Sequence, residues 1–265
     1  MPPRPAAERA RDLVVLLHGL GRTRRSMRVA QRRVERAGYR AVSLGYPSRT
    51  QTIETIAGDL AAQLPDPGAG RLHFLAHSLG GIVVRVIARD HRPARLGRVV
   101  MLGPPNQGSV LAGRLRHWRV DRALMGPAGR QLVSDPDGIH ATLGPVDFET
   151  GVIAGSWPLG LLPWLDGPND GLVAVRETEV EGMTDHVVMR ENHGLILLSR
   201  PVVREALHFF DHGRFGALSS SSSTSGSESG KSMRIGRRRR DSGSGLAGSV
   251  RSITRNPPAP AGTNA

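Results

Sequence analysis

The sequence contains no cysteine, a single lysine and few aromatic residues, which make up 4% of the chain. Without cysteine the chain has no disulfide, thiolate zinc site, iron–sulfur cluster or cysteine nucleophile. The scarcity of aromatics leaves no obvious large aromatic surface for binding lipid. Only one of the 36 basic residues is lysine, a bias typical of high-GC codon usage, so the positive charge is weak evidence for nucleic-acid binding.

Long apolar runs are also lacking. The first apolar run, at residues 13–17, is too short for the core of a signal peptide, and no small-residue cleavage site follows it. No stretch approaches the roughly 20 residues that a transmembrane helix needs. The sequence therefore predicts no membrane span and, by default, a cytoplasmic location, although a start site placed too far downstream would hide a leader.

Charge and composition divide the 265 residues into three parts. Residues 1–12 form a short, charged, proline-rich N-terminal extension, and residues 13–215 have the length of one α/β domain. Of the net charge of +13, residues 219–265 carry +6 and the preceding residues +7. Because its serine run and glycine-rich sequence offer little apolar area to bury, we expect 216–265 to be a disordered Ser/Gly/Arg-rich tail.

Short apolar runs alternate with helical patterns through the domain. Runs of four or five residues, typical of strands buried on both faces, occur at 13–17, 41–44, 72–76 and 99–102. Helical patterns occur at 24–37, 52–64 and 79–90, and two further strands at 149–154 and 186–189 precede a final helix at 201–212. This alternation predicts an α/β fold with a mostly parallel sheet of about six strands flanked by helices.

Residues 105–146 interrupt the alternation. They hold a weak amphipathic helix near 110–118 and several Gly/Pro breaks, with no buried-strand run. Such an excursion between the strands of an α/β sheet usually lies over their carboxyl ends, where ligands bind. We therefore expect about 105–146 to form a small cap region.

The first candidate for chemistry is Ser78, within the sequence Ala-His-Ser-Leu-Gly-Gly at 76–81. A strand runs into a serine and then into an apolar helix, which fits the nucleophile elbow G-x-S-x-G with Ala76 in place of the first glycine. The tight turn requires small residues at Ala76 and Gly80. It also holds the hydroxyl above a helix N-terminus, where partial positive charge favours a developing oxyanion. The pentapeptide alone also matches ordinary turns.

The second candidate is the loop His-Gly-Leu-Gly at 18–21, directly after the first strand. It predicts an oxyanion hole made by the backbone N–H groups of Leu20 and Leu79. His18 and Gly19 would support the loop, since a histidine here positions the chain more often than it catalyses. A dinucleotide-binding loop is the competing interpretation. Its third glycine position holds an arginine, and no acidic residue ends the next strand.

The third candidate combines Asp170 with His193. A serine hydroxyl needs a base to take its proton, and the base needs a carboxylate to set its tautomer. The chain order Ser78, Asp170, His193 is the order expected for α/β-hydrolases. Asp170 is preferred to Asp166 because it lies in a turn just before the apolar run at 172–175.

Asp170 has other interpretations. It suits an Asx residue that caps its own turn. A calcium loop would use Asp166, Asp170 and Glu177, but Pro168 at the third ligand position has no ligating side chain, which excludes a standard EF-hand.

Other histidines compete with His193 for the role of base. His186 begins a predicted strand, and His208 and His212 lie on the last helix, away from the strand ends. His77 neighbours the serine, and its side chain is expected to point elsewhere. His193, in a loop after the last strand, is the best placed to reach Ser78.

Together these motifs resemble the α/β-hydrolase superfamily, in particular compact bacterial lipase/esterase-like serine hydrolases of the GPI-inositol-deacylase-like group. The resemblance spans 13–215 and includes the segment 102–109, whose Pro-Asn-x-Gly-Ser pattern is similar to one that recurs in this group. It implies serine ester hydrolysis through an acyl-enzyme, with no cofactor and no metal. The chain departs from the family in Ala76, in lacking the usual first two antiparallel strands, and in its tail.

We therefore expect a carboxylic-ester hydrolase with a small-molecule or lipid ester as substrate. An acyltransferase or thioesterase using the same triad stays open, as does a non-catalytic binding protein that acts through the basic tail. The sequence makes no prediction of oligomeric state.

Two features have both a functional and a plain structural interpretation. Several large apolar residues either line an acyl or alcohol pocket or, more commonly, pack the core: Trp118, Trp157, Leu161, Leu162 and Trp164. The four consecutive arginines at 237–240 either make weak contact with anionic lipid headgroups or nucleic acid, or belong to a solvated tail.

Overall fold

The computed structural model describes residues 4–115, 121–158 and 165–216, with the backbone alone at 115 and 121–124. The tail expected at 216–265 lies outside these ranges except for Gly216. Trp118, Trp164 and residues 161–162, to which the sequence assigns a pocket or core role, also lie outside the described residues.

Six parallel strands form one sheet in the order β2-β1-β3-β4-β5-β6. The strands are β1 (Leu13–Leu17), β2 (Arg40–Leu44), β3 (Leu72–His77), β4 (Leu96–Leu102), β5 (Thr150–Gly155) and β6 (Asp185–Met189). Every neighbouring pair is parallel. The predicted α/β class and six-stranded parallel sheet are confirmed.

The direction in which successive strands follow one another across the sheet reverses at β1. Strand β2 pairs with one side of β1, and β3 pairs with the other side. At such a switch point a crevice forms outside the carboxyl ends of the strands, and ligands bind there. The segments that follow β1 and β3 hold His18 and Ser78, so two of the sequence candidates meet at this crevice.

The expectation of strands buried on both faces holds for β1, for β3 and for residues 99–102 of β4, and it is wrong for β2. Arg40 of β2 is exposed, and the other four residues are half-buried. The cause is position, since β2 lies at the edge of the sheet with a neighbour on one side only. Its short apolar run has no feature that distinguishes an edge strand from a central one.

The described residues form eight α-helices. They are α1 (Ala6–Arg9), α2 (Arg28–Arg36), α3 (Ile53–Ala61), α4 (Leu79–Asp90), α5 (Val110–Leu115), α6 (Asp121–Arg130), α7 (His140–Leu143) and α8 (Arg200–His212). Helix α3 begins at the N-cap Thr52, whose Oγ1 accepts a hydrogen bond from Thr55 N–H, and α8 ends at Gly213 with φ +70°. Within the described ranges, no helix is both long and apolar enough to cross a bilayer.

Two hydrophobic cores lie on opposite faces of the sheet. On one face, alternate residues of β1 such as Val15 and Leu17 pack against Ile56 of α3 and Ile82 of α4. On the other face, Val14 and Leu16 pack with residues of α2 and α8, including Val34, Phe209 and Phe210. Because the side chains of a strand alternate between faces, burial of both cores holds the central strands rigidly in place. The starting points of the loops at the carboxyl ends of these strands are therefore fixed in position.

The region between β4 and β5 contains helices α5, α6 and α7. Only the first of these is predicted from the sequence. Helix α6 is kinked at Gly126, where φ is +61°, and Pro127 follows the kink. This break interrupts the 3.6-residue periodicity by which a helix is recognised.

Residues 4–12, expected to be an N-terminal extension, contact the domain. Arg9 forms hydrogen bonds of 3.0 and 2.8 Å with the carboxylate of Asp211 on α8. The buried Asp12 accepts a hydrogen bond from Arg71 N–H and lies 3.2 Å from His73 Nε2. Burial alone would raise the pKa of Asp12, but the hydrogen bonds from His73, Arg71 and Arg4 outweigh it and hold this pKa well below its usual range.

Candidate active site

Ser78 occupies the turn between β3 and α4. Its φ is +53°, and in the described part of the chain no other non-glycine residue has a positive φ. A positive φ is strained for a residue with a Cβ, and such strain clusters at functional sites. Hydrogen bonds of 2.9 Å from Ser78 N–H to Leu102 O and from Gly81 N–H to Ser78 O hold the turn.

Small residues surround this turn for steric reasons. A Cβ on Gly80 would lie 2.9 Å from the carbonyl oxygens of Leu17 and His18, because α4 approaches the end of β1 closely. A Cβ on Gly19 would lie 3.2 Å from the Cβ of Ser78. Ala76, in place of the first glycine of the motif, is fully buried at the end of β3, where its methyl group is accommodated.

Ser78, His193 and Asp170 form a continuous hydrogen-bonded chain. Ser78 Oγ lies 3.1 Å from His193 Nε2, and His193 Nδ1 lies 2.7 Å from Asp170 Oδ2. Both members of the His–Asp pair are buried, with His193 5% and Asp170 1% exposed. The carboxylate fixes the tautomer in which Nδ1 carries the proton and Nε2 is free to accept the serine proton. The structure thus brings together the three residues selected from the sequence.

The two oxygens of Asp170 have different partners. Oδ1 accepts hydrogen bonds from Leu172 N–H at 3.0 Å and Val173 N–H at 2.8 Å, while Oδ2 faces His193. The Asx-cap interpretation is therefore correct for one oxygen and compatible with the pairing of the other. The loop is also tied to the histidine segment, since His193 N–H donates to Asp170 O at 3.0 Å.

Two glycines make room for the His–Asp pair. Gly103, at the end of β4, has φ +55°, and a Cβ there would lie 2.9 Å from Asp170 Oδ2 and 3.2 Å from His193 Nδ1. A Cβ on Gly155, at the end of β5, would lie 2.7 Å from the Cβ of Asp170. Sequence reasoning missed both roles, because a glycine after a strand usually marks only a turn.

His18 holds the loop after β1. Its ring stacks on Tyr46 at 4.1 Å, its Nε2 accepts from Tyr46 N–H at 3.3 Å, and its Nδ1 lies 2.9 Å from Gly19 O. Tyr46 also donates its hydroxyl to His18 O. Burial lowers the pKa of His18, which favours the neutral ring that these partners require. The geometry is that of the positioning residue expected from the sequence.

The backbone N–H groups of Leu20 and Leu79 have no hydrogen-bond acceptor among the residues that the structure describes. Leu79 is the first residue of α4, where the N–H groups of a helix have no partner within it. Leu20 lies two residues beyond His18 and lines the same cavity as Ser78. Both groups are available to a negatively charged oxygen.

The expectation that His77 points away from the site is wrong. Its ring lies 4.8 Å from the ring of His193 between centroids, and its Nε2 lies 2.9 Å from His193 O. Burial, with a further contribution from His193, lowers the pKa of His77 well below its usual value, so the ring is neutral and Nε2–H donates. His77 thus supports the backbone of His193, a contact that sequence spacing does not indicate.

The other candidate residues lie apart from this site. Asp166 is exposed, and His186 Nε2 on β6 lies 2.9 Å from Thr178 Oγ1. Trp157 is 42% exposed, beneath the guanidinium of Arg190, so the expectation that it packs the core is wrong. His208 and His212 lie on α8, as expected.

Glu177 has a structural role. Its carboxylate accepts hydrogen bonds from Val110 N–H and Ala174 N–H, each 2.8 Å. Across residues 4–115, 121–158 and 165–216, no three His, Asp or Glu side chains are grouped as a metal site would require.

The segment with the Pro-Asn-x-Gly-Ser pattern is held in place by hydrogen bonds from a buried arginine. Arg85 of α4 donates to Asn106 O at 3.1 Å and to Gly144 O at 2.6 Å, and Asn106 Nδ2 donates to Thr178 O at 2.8 Å. Burial lowers the pKa of Arg85 to about 10. These bonds join α4, the cap region and the loop after Asp170 beside the cavity.

A cavity of about 450 Å³ opens onto Ser78 and His193. Apolar side chains dominate its wall: Leu20, Leu111, Met125, Leu132, Leu172 and Val173. Several of these belong to the segment 105–146, expected to form the cap. The volume lies in the range typical of small-molecule sites, which are apolar with a few polar groups at the reacting centre.

Several solved structures similar to this chain are lipases and esterases. A lipase from Bacillus licheniformis, BlEst2 in its mature form, is 21% identical over 78% of this chain and 94% of that chain, with a TM-score of 0.61. A metagenomic carboxyl esterase, MGS0156, is 20% identical over 69% of this chain and 65% of that chain, with a TM-score of 0.54. Lipase B of Aspergillus fumigatus is 14% identical over 83% of this chain and 57% of that chain, with a TM-score of 0.59.

Sequence comparison adds no assignment, since no protein-family model and no curated protein matches the chain. The structural similarity shows that the chain has the α/β-hydrolase fold, which confirms the predicted fold. The resemblance to the GPI-inositol-deacylase-like group stays a prediction.

Proposed function

Because the chain has the α/β-hydrolase fold, we propose that it is a serine hydrolase that cleaves carboxylic esters through an acyl-enzyme on Ser78. The observation that carries the proposal is the hydrogen-bonded chain from Ser78 Oγ through His193 to Asp170, which reaches the wall of an apolar cavity. A buried Ser-His-Asp chain of this geometry activates a hydroxyl that is otherwise a weak nucleophile.

In the first half of the reaction Ser78 Oγ attacks the ester carbonyl carbon while His193 Nε2 takes the hydroxyl proton. The carbonyl π pair moves to oxygen, which forms a tetrahedral oxyanion. Its collapse breaks the bond to the alcohol oxygen, and the imidazolium returns its proton to that leaving oxygen. Asp170 stabilises the imidazolium through the 2.7 Å contact with Nδ1.

In the second half, water replaces the alcohol. His193 takes a proton from water as its oxygen attacks the acyl carbon, and the collapse of this second intermediate returns the proton to Ser78 Oγ. The products are the carboxylic acid and the free serine. No redox step or cofactor is involved.

The oxyanion is assigned to the N–H groups of Leu20 and Leu79. Both lack an acceptor among the described residues, and one of them begins a helix, where the dipole favours negative charge. The His18–Tyr46 contacts hold the Leu20 loop in place before substrate arrives. Donors fixed in this way need no reorganisation as the charge develops.

Reaction with a fluorophosphonate probe tests the proposal. We expect wild-type protein to be labelled on Ser78 and Ser78→Ala to stay unlabelled, because only an activated serine reacts. Ser109→Ala is the matched control, since Ser109 lines the same cavity but its Oγ accepts from Ala112 N–H and has no histidine partner among the residues that the structure describes. Absence of labelling in folded wild-type protein would refute the hydrolase proposal and favour a non-catalytic role.

Gly103→Ala is expected to lower activity out of proportion to its effect on stability. Its φ of +55° strains alanine, which costs about 1–2 kcal/mol. The new Cβ would also displace the His–Asp pair, and we expect kcat on a p-nitrophenyl ester to fall at least about tenfold. Ester turnover and urea unfolding measure the two effects.

Gly68→Ala is the control for backbone strain. Gly68 has φ +67°, but a Cβ there meets nothing within 4 Å. We expect a similar loss of stability with unchanged kcat. Equal kcat for the two glycine variants would show that Gly103 does not position the pair.

A further inference from the structure

The segment 22–36 is unusually basic. It contains seven arginines and a single acidic residue, Glu35, which accepts a hydrogen bond from Gln31. Six of the arginines are exposed, and we name them the basic face: Arg22, Arg24, Arg25, Arg28, Arg32 and Arg36. Within the described residues none of the six forms an ion pair. The acidic side chains that the structure describes therefore do not neutralise this charge.

Two exposed leucines lie beside α2, the helix that carries Arg28, Arg32 and Arg36 of the basic face. Leu195, 45% exposed, precedes the short 3₁₀ helix Ile196–Leu198, and Leu198, 49% exposed, ends it. Arg33 of α2 donates to Leu198 O at 2.7 Å, so α2 contacts the segment that holds the two leucines. Leu198 N–H donates to Leu195 O at 2.8 Å, so the two exposed side chains belong to one turn and form a small apolar patch.

The same surface borders the cavity that holds Ser78. Arg22 lines that cavity, and a Cβ on Gly194 would lie 3.1 Å from Arg22 Nη2. Leu172, which also lines the cavity, is 44% exposed. Positive charge and exposed leucine thus meet at the cavity mouth.

Part of the basic face encloses a second, polar cavity. It has a volume of about 450 Å³ and is lined by Arg24, Arg25, Arg28, Gln31, Val42 and Ser43. Three guanidiniums with no carboxylate partner in the described part of the chain favour a phosphate-type anion, since guanidinium binds phosphate oxygens in a bidentate manner.

We propose that the basic face and the leucine pair, Leu195 and Leu198, dock the protein on an anionic phospholipid membrane. Phosphodiester headgroups complement the arginines, and the leucines enter the boundary between headgroups and acyl chains. A nucleic acid would satisfy the arginines but would leave the leucines in water. Docking in this orientation turns the cavity mouth toward the lipid.

Vesicle binding by the full chain tests the proposal, in the Ser78→Ala background so that no lipid is consumed. The probe is vesicles of phosphatidylcholine alone or with an equal part of phosphatidylglycerol, separated by sedimentation. We expect binding only to the anionic vesicles, weaker at high salt because charges are screened. Replacing Arg24, Arg25 and Arg28 with glutamine should lower the partition coefficient about 100-fold, at roughly fivefold for each arginine near the surface.

Arg40→Gln, Arg71→Gln and Arg95→Gln together are the matched control. These arginines are also exposed and lie at the amino ends of the strands, opposite the cavity, and the variant changes the net charge equally. We expect this control to bind like the parent. A second variant, Leu195→Ser with Leu198→Ser, should lower binding about tenfold without changing charge. Thermal unfolding verifies that each variant is folded.

Three results would overturn the proposal. One is equal loss of binding in the two triple-arginine variants, which would indicate a nonspecific effect of net charge. Another is binding that survives these changes and disappears on replacing the arginines at 237–240, which would assign the contact to the tail. The third is binding to duplex DNA with no dependence on the leucines and none to anionic vesicles. Each is independent of fluorophosphonate labelling, so failure here leaves the proposed reaction unaffected.

Discussion

Replacing His193 with alanine is expected to lower kcat on a p-nitrophenyl ester by about 10⁴- to 10⁶-fold. Without the imidazole, no group lies within hydrogen-bond distance of Ser78 Oγ among the described side chains, so the hydroxyl proton has no acceptor. His77, the nearest other histidine, cannot substitute. Its Nε2 faces the backbone of His193, and burial lowers its pKa well below the usual value.

The decisive measurement is a double-mutant cycle with Ser78→Ala. If serine and histidine act as one unit, each single variant removes nearly the whole effect, and the double variant is no slower than either one by more than about tenfold. Additive losses, with the double variant slower by the product of the single effects, would show that the two residues act separately. Residual turnover in all three variants would come from the oxyanion donors and substrate binding.

Replacing Asp170 with asparagine is expected to lower kcat by about 10³- to 10⁴-fold while preserving the fold. The side-chain oxygen of asparagine can still accept from Leu172 N–H and Val173 N–H, which keeps the turn. Its amide nitrogen then faces His193 and cannot accept a hydrogen bond from Nδ1–H. The imidazole is driven to the tautomer that has no lone pair for the proton of Ser78.

Asp166→Asn is the matched control, because Asp166 lies in the same loop but is exposed and outside the hydrogen-bonded chain. Its kcat should equal that of wild type. Circular dichroism melting should show both asparagine variants close to wild type, so that lost activity is not lost fold. Wild-type kcat in Asp170→Asn would mean that the histidine does not depend on this carboxylate and would contradict the assigned role.

Much of the fold could be predicted from local sequence. The run at 13–17 and the helix at 79–90 have the bounds that β1 and α4 show. Burial on both faces requires apolar residues along a strand, and the turn at Ser78 requires small neighbours, so residue types indicate both elements. An edge position is not visible in the residue types of a strand, so the burial on both faces that the sequence predicts for β2 is wrong. The kinked α6 was missed because Gly126 and Pro127 break its periodicity.

The residues of the candidate site also fall into two groups, those that the sequence indicates and those that it does not. Ser78 could be found because its strained turn requires small neighbours, and Asp170 and His193 because their order along the chain matched the motif. The contributions of His77, Gly103 and Gly155 could not be predicted from the sequence, because each depends on a contact with a residue far away along the chain. His77 meets His193 across 116 positions of the chain.

The strands and the serine turn can be inferred from residue types, because each depends on neighbours a few positions apart, and Asp170 and His193 can be inferred from their order along the chain. The folded chain was needed to show that one oxygen of Asp170 caps a turn while the other faces His193. The same holds for the contact of Arg33 in α2 with the exposed Leu198 and for the place of Arg22 in the cavity wall. The contacts with His193 and Leu198 join residues from different segments of the chain that the sheet brings together, so no single segment contains both partners.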